Sequence, residues 1–208
     1  MTEAEYDIVI LGAGSGGYAT ALRAAQLGMK VALVEGDKVG GTCLHRGCIP
    51  TKAYLHAAET ADAVRESEAF GILSSFQGID MTKVGAYRDS VITKLYKGLQ
   101  GLLSSRKVEI VSGWGRLVSD NSVEVNGRVL SGRHIVLATG SYSRSLPGLE
   151  IGGRVISSDQ ALQMDWVPRS AIILGGGVIG LEFASVWRSF GAEVTIIEAL
   201  PHLANNED

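Results

Sequence analysis

The chain has 208 residues, 46% of them hydrophobic, with a formal net charge of −3 and a pI near 5.8, which suits one or two domains with a substantial core. The weakly acidic balance supplies no basic field for nucleic acid or an anionic membrane surface. Met1-Thr2-Glu3-Ala4-Glu5-Tyr6-Asp7 lacks the basic start and apolar run of a secretion signal, and no apolar stretch reaches membrane-spanning length, so the expectation is a cytoplasmic protein.

Residues 6–11, Tyr-Asp-Ile-Val-Ile-Leu, predict a short buried strand, and Gly12-Ala-Gly14-Ser-Gly-Gly17 follows at once. Ala21, Leu22, Ala24, Ala25 and Leu27 give the next segment a helical face of small residues, Gly28 ends it, and Val31-Ala-Leu-Val34 makes a second strand closed by Glu35. This is the chemistry of a dinucleotide site. Gly12 permits the turn, Gly14 lets backbone approach a pyrophosphate, and Gly17 permits close packing of helix on strand. The phosphates then meet free N–H groups at the helix N-terminus, and Glu35 would accept bonds from ribose hydroxyls. A lone G-x-G-x-x-G is weak, but strand, glycines, helix, strand and acid in register are specific.

Both cysteines lie in the next stretch, Gly40-Gly41-Thr42-Cys43-Leu44-His45-Arg46-Gly47-Cys48-Ile49-Pro50-Thr51-Lys52. In a regular helix, positions i and i+5 are separated by roughly 9 Å at Cα, beyond disulfide reach, so a bridge there needs distorted backbone. Gly41, Gly47 and Pro50 all favour such a departure. A structural bridge closing so short a loop stabilises little, and zinc sites usually pair C-x2-4-C with a second ligand pair. In a reducing compartment, a thiol pair is more often catalytic or redox-sensing than structural.

Helical periodicity then predicts helices over 53–70 and 81–105, with Val84, Tyr87, Val91, Leu95, Leu99 and Leu102 on one face. Short strands at 108–111, 115–118, 122–125 and 128–130 suggest a small antiparallel meander beside the main sheet. His134-Ile-Val-Leu-Ala138 predicts another buried strand, ending in Thr139-Gly140-Ser141, and 143–168 looks like a connection between domains.

The first unit then recurs. Ala171-Ile-Ile-Leu174, Gly175-Gly-Gly177-Val-Ile-Gly180, a helix through Phe190, Glu193-Val-Thr-Ile-Ile197 and Glu198 follow the same order, and both Gly12 to Glu35 and Gly175 to Glu198 span 23 positions. Two nucleotide sites are implied. Glu198 would repel a 2′-phosphate, and no nearby Arg follows it, which favours NAD over NADP at the second site. The fold class expected is α/β, with two Rossmann-like units, a parallel sheet, a helical excursion and a small meander. The second unit is expected to be incomplete. The expected domains are 1–148 and 149–208.

Together, the first fingerprint, Gly40-Gly-Thr-Cys-x4-Cys-Ile-Pro-x-Lys52, Ala138-Thr-Gly140 and the second fingerprint resemble the class I flavoprotein pyridine nucleotide-disulfide oxidoreductases across essentially the whole chain. The resemblance implies FAD at the first site, NAD at the second and a redox-active Cys43-Cys48 disulfide against the flavin. By position, Cys48 matches the flavin-facing thiol, Cys43 the thiol that attacks substrate, Lys52 the lysine near the reactive end of the flavin, and Glu182 its carboxylate partner. Gly41, Thr42, Gly115, Thr139, Gly140 and Ser141 match further FAD contacts. The members most similar oxidise a protein-bound dihydrolipoyl group with NAD, their partners being lipoyl domains of 2-oxo acid dehydrogenase complexes or a glycine-cleavage carrier. The family's general base is a His-Glu pair in a C-terminal dimerisation domain of a homodimer. No such pair is seen here, so the chain is expected to be a fragment short of full turnover. The competing expectations are another disulfide reductase, of glutathione, mycothione or mercuric ion type, and a non-catalytic flavin-binding or redox-sensing fragment.

Overall fold

The computed structural model describes residues 4–205; the acidic start Met1-Thr2-Glu3 and the final Asn206-Glu207-Asp208 of the two expected domains lie outside them. The chain divides into two compact units, Met1–Arg46 with Ile92–Arg144, and Gly47–Val91 with Ser145–Asp208.

In the first unit, β-branched and apolar runs form β1 (Tyr6–Leu11) and β2 (Val31–Glu35), joined by α1 (Ser15–Gln26). The strands pair in parallel, Ile8 to Val31 through Leu11 to Val34, as a helical crossover requires. The short helix α2 (Gly41–Arg46) follows. β3 (Glu109–Ser112), β4 (Gly115–Ser119), β5 (Ser122–Val125) and β6 (Arg128–Leu137) complete a mixed sheet of order β3-β2-β1-β6-β5-β4. Ile8, Ile10 and Leu33 pack against Ala21 and Ala24 of α1 with Leu103 and Val108; Tyr6, Val9 and Val34 face the other way, onto Val123, Val125 and Leu130. Burying Ile10 or Leu33 completely contributes about 1.5–3 kcal/mol each.

Two expectations are corrected here. The strand at 108–111 does not belong to the meander: β3 pairs in parallel with β2, Ala32 to Glu109 through Glu35 to Ser112. A helical connection returns the chain in the direction of the strand it left, which favours parallel pairing over a hairpin. The expected strands at 128–130 and 134–138 fall in one strand, β6, which ends at Leu137. Its first half pairs antiparallel with β5 and its second half parallel with β1. Gly132 sits at this change of partner, where a Cβ would stand 2.9 Å from the His134 carbonyl oxygen and 3.0 Å from the Val9 side chain.

In the second unit, α3 (Cys48–Glu66) and the start of α4 (Met81–Ser105) join α5 (Ser158–Ala161), β7 (Ser170–Leu174), α6 (Val178–Phe190) and β8 (Glu193–Ile197). β7 and β8 pair in parallel, Ala171 to Val194 and Ile173 to Ile196. Phe183, Val186, Trp187 and Phe190 of α6 pack with Tyr54 and Ala58 of α3. The stretch expected as a connection carries α5, closed by a capping box between Ser157 and Gln160, and places Ala161 and Leu162 in this core. The other face of β7 and β8 presents Ile172, Leu174 and Ile197 to solvent.

Candidate functional site

Both glycine turns have the same geometry. Gly12 and Gly175 hold φ of 99° and 100°, in the left-handed region that glycine enters without strain. Their N–H groups donate to the Val34 and Ile197 carbonyls, each at 2.9 Å. A Cβ at Gly17 would overlap the Gly12 carbonyl oxygen, and one at Gly180 the Gly175 carbonyl oxygen. Gly14 and Gly177 are the extended residues that open α1 and α6.

The two terminal acids repeat as well. Glu35 accepts from Ala13 N–H at 2.8 Å and from Asp37 N–H at 2.9 Å, while Glu198 accepts from Gly176 N–H at 2.6 Å and from Leu200 N–H at 2.8 Å. Each carboxylate thereby ties the end of its second strand to the glycine turn of its first. The N–H groups of Leu200 and then Gly176 hold the Glu198 carboxyl below the usual range. A carboxylate has about four acceptor positions, so each acid keeps capacity for ribose hydroxyls.

The first turn is further shaped for close approach. Gly41, with φ 57°, lies against Gly14 so tightly that a Cβ on it would stand 2.6 Å from the Gly14 Cα, and Gly40 N–H donates to the Ala13 carbonyl at 2.8 Å. Ala138 N–H donates to the Leu11 carbonyl at 2.8 Å, so Thr139, Gly140 and Ser141 leave the sheet beside Gly12. Gly115 is wedged among Leu11, Val34 and Val123 side chains, with no room for a side chain of its own. This backbone cradle, open where side chains would fill it, fits the phosphate and ribose portions of a dinucleotide.

The helix breaks between the two cysteines. α2 ends at Arg46, Gly47 adopts φ −141° and ψ −110°, and α3 begins at Cys48. Thr42 is exposed, Cys43 half-buried and Cys48 exposed in the first turn of α3. The backbone distortion expected from Gly47 is therefore present. One turn on, Lys52 donates to Glu182 of α6 in a close ion pair, with the carboxylate side chain 18% exposed. His45 donates from Nε2 to the Val39 carbonyl at 2.9 Å and meets the Tyr96 ring edge-on, consistent with a structural role.

Each unit also holds a residue of note that was not singled out from sequence. Tyr54, two positions after Lys52, donates to the Leu162 carbonyl at 2.9 Å and accepts from the buried Arg88 at 2.9 Å. Trp114, next to Gly115, lies across the Gly36 backbone. The one sequence signal for Trp114 was its adjacency to a glycine already placed at the site.

The pattern of the family described as pyridine nucleotide-disulphide oxidoreductase matches residues 6–208. The dihydrolipoyl dehydrogenase of Bacillus subtilis (strain 168) is 45% identical over 98% of this chain and 46% of its own length; that of Thermus scotoductus is 43% identical over 95% and 43%. The chain spans about half the length of the curated relatives it matches. Among solved structures, a Cu(II) complex of a mutant of the HOCl-induced flavoprotein disulfide reductase RclA from Escherichia coli has a TM-score of 0.78 at 28% identity, covering 99% of this chain and 45% of that one. On the match over residues 6–208, the chain belongs to the pyridine nucleotide-disulphide oxidoreductase family.

Proposed function

We propose that this chain carries the FAD site, the redox disulfide and the start of the NAD site of a dihydrolipoyl dehydrogenase. The observation that carries this reading is the repeated glycine turn and acid, together with Cys48 opening α3 one turn before the Lys52–Glu182 pair. The names of the relatives at 41–45% identity supply the substrate class. In this reading residues 1–148 form the FAD domain and 149–208 the first part of the NAD domain. The protein is cytoplasmic and homodimeric and serves lipoyl domains.

Gly12, Gly14, Gly17, Gly41, Thr42, Gly115, Thr139, Gly140 and Ser141 hold FAD by backbone approach, with Glu35 on its ribose. Gly175, Gly177, Gly180 and Glu198 hold NAD in the same way. Glu198 places negative charge where NADP would bring a 2′-phosphate, which favours NAD. A dihydrolipoyl thiolate attacks the Cys43 sulfur of the Cys43-Cys48 disulfide and releases Cys48 as the leaving thiolate; the second lipoyl thiol then displaces Cys43 from the mixed disulfide, so the dihydrolipoyl dithiol leaves as a disulfide and the two cysteines remain as thiols. Bound FAD supplies the two-electron relay between the thiols and NAD. Lys52 provides a fixed positive charge near that relay, and Glu182 orients it.

Absorption spectra of the purified chain with added FAD test the reading. The expected result is bound flavin, with a long-wavelength band on two-electron reduction that is lost in Cys48→Ser, and dihydrolipoamide as reductant. A colourless protein with reversibly oxidised thiols would favour a redox-sensing fragment instead.

A further inference from the structure

Trp114 is 82% exposed, an unusual setting for so large an apolar ring in a unit with a well-packed core. Its position is nonetheless fixed. A Cβ built on Gly36 would stand 2.5–2.8 Å from Cδ2, Cε2 and Cε3 of the indole, so one face of the ring rests on bare glycine backbone. The turn that carries Trp114 is tied down on both sides. Gly113 N–H donates to the Glu35 carbonyl at 2.8 Å, Asn126 Nδ2 donates to the Ser112 carbonyl at 3.1 Å, and Gly115 is wedged among Leu11, Val34 and Val123.

The sheet order decides what this ring faces. β2 stands between β1 and β3, all three strands run parallel, and Glu35 pairs with Ser112. Their carboxyl ends therefore share one edge, where ligands of open parallel sheets bind. A nucleotide whose phosphates lie at the Gly12 turn over β1, and whose ribose reaches Glu35 at the end of β2, must run its base onward to the end of β3. Gly36 and Trp114 are what it meets there. A side chain at position 36 would displace the indole, so the glycine and the tryptophan form one unit.

We propose that Trp114, backed by Gly36, is the platform on which the adenine ring of the bound dinucleotide stacks. This rests on the FAD reading of the first site. Base-on-aromatic stacking contributes enough to change affinity about tenfold, and a planar ring with one face already supported loses little freedom in making it.

The test uses the 208-residue chain as wild type, Trp114→Phe and Trp114→Leu, titrated with FAD and with ADP, which carries the adenosine end alone. The expected result is that Trp114→Leu weakens FAD and ADP by the same factor of about ten, while Trp114→Phe retains most of the affinity. ADP should quench tryptophan emission in wild type, and that quenching should be absent in Trp114→Leu. Unchanged FAD affinity in Trp114→Leu, or an FAD loss with ADP affinity intact, overturns the stacking role and leaves the FAD reading standing. A wild-type chain that binds neither FAD nor ADP overturns the reading of the first site and the role of Trp114 with it.

Discussion

Lys52 on α3 and Glu182 on α6, 130 positions apart in sequence, form a direct ion pair. Lys52 lies one helical turn beyond Cys48, and Glu182 one turn beyond the N-cap Gly177, so the pair ties the helix that opens with a thiol to the helix that opens with a glycine turn. The lysine side chain is 57% exposed, and water screens an exposed pair strongly. A double-mutant cycle of Lys52→Met and Glu182→Gln should therefore give a coupling of about 0.2–1 kcal/mol in urea unfolding. A coupling several times larger would assign the pair a structural rather than a functional purpose.

Glu198 should make the second unit sensitive to acid. The fold holds its carboxyl below the ordinary range through the Leu200 and Gly176 N–H groups, so the ionised form is favoured when folded. A depressed folded pKa contributes stability that is present above the unfolded value, about 4.3, and is lost as pH falls through the folded value. Carbon-detected titration should find the Glu198 midpoint below that of an exposed glutamate. Glu198→Gln should flatten the acid limb of the stability profile, weaken NAD binding and narrow any preference for NAD over NADP.

Tyr54 and Arg88 form the buried polar centre of the second unit. Burial pushes the Tyr54 hydroxyl above the usual phenol range, against the opposing pull of the Arg88 guanidinium. Tyr54→Phe removes a donor to the Leu162 carbonyl and an acceptor for Arg88 at once. It should cost about 1–3 kcal/mol in urea unfolding. Because Arg88 also donates to the Leu162 carbonyl, Tyr54→Phe combined with Arg88→Met should cost less than the sum of the single changes.

What was legible in the sequence follows from range of interaction. Gly12, Gly17, Gly175 and Gly180 answer demands of the local chain, a positive φ or a helix pressed on its own turn, so their spacing alone gives the geometry. Glu35 and Glu198 were legible as strand-ending acids. Their bonds to Ala13 and Gly176 N–H were not, because an acid at that place serves ribose or backbone equally well. The partner of β3 was hidden because four short strands in a row carry the same alternation whether they pair with each other or with a distant strand. Arg88 on a helix reads as a solvated charge, and only the packing of α3 and α5 around it shows otherwise.

The near-identity of the two turns makes one difference between them testable. Gly12 and Gly175 share a φ near 100°, so alanine at either position meets the same backbone strain, about 1–3 kcal/mol. Around Gly175 nothing lies within 4 Å of a built Cβ, whereas at Gly12 the Cβ would overlap the Ala138 carbonyl, because β6 runs beside β1. That carbonyl is backbone held in a parallel ladder and cannot rotate away as a side chain would. Gly12→Ala should therefore destabilise by at least about 2 kcal/mol more than Gly175→Ala, and should displace Thr139 and Gly140 from the turn. Urea unfolding of the two single variants checks the difference, and equal costs would show that β6 yields without penalty.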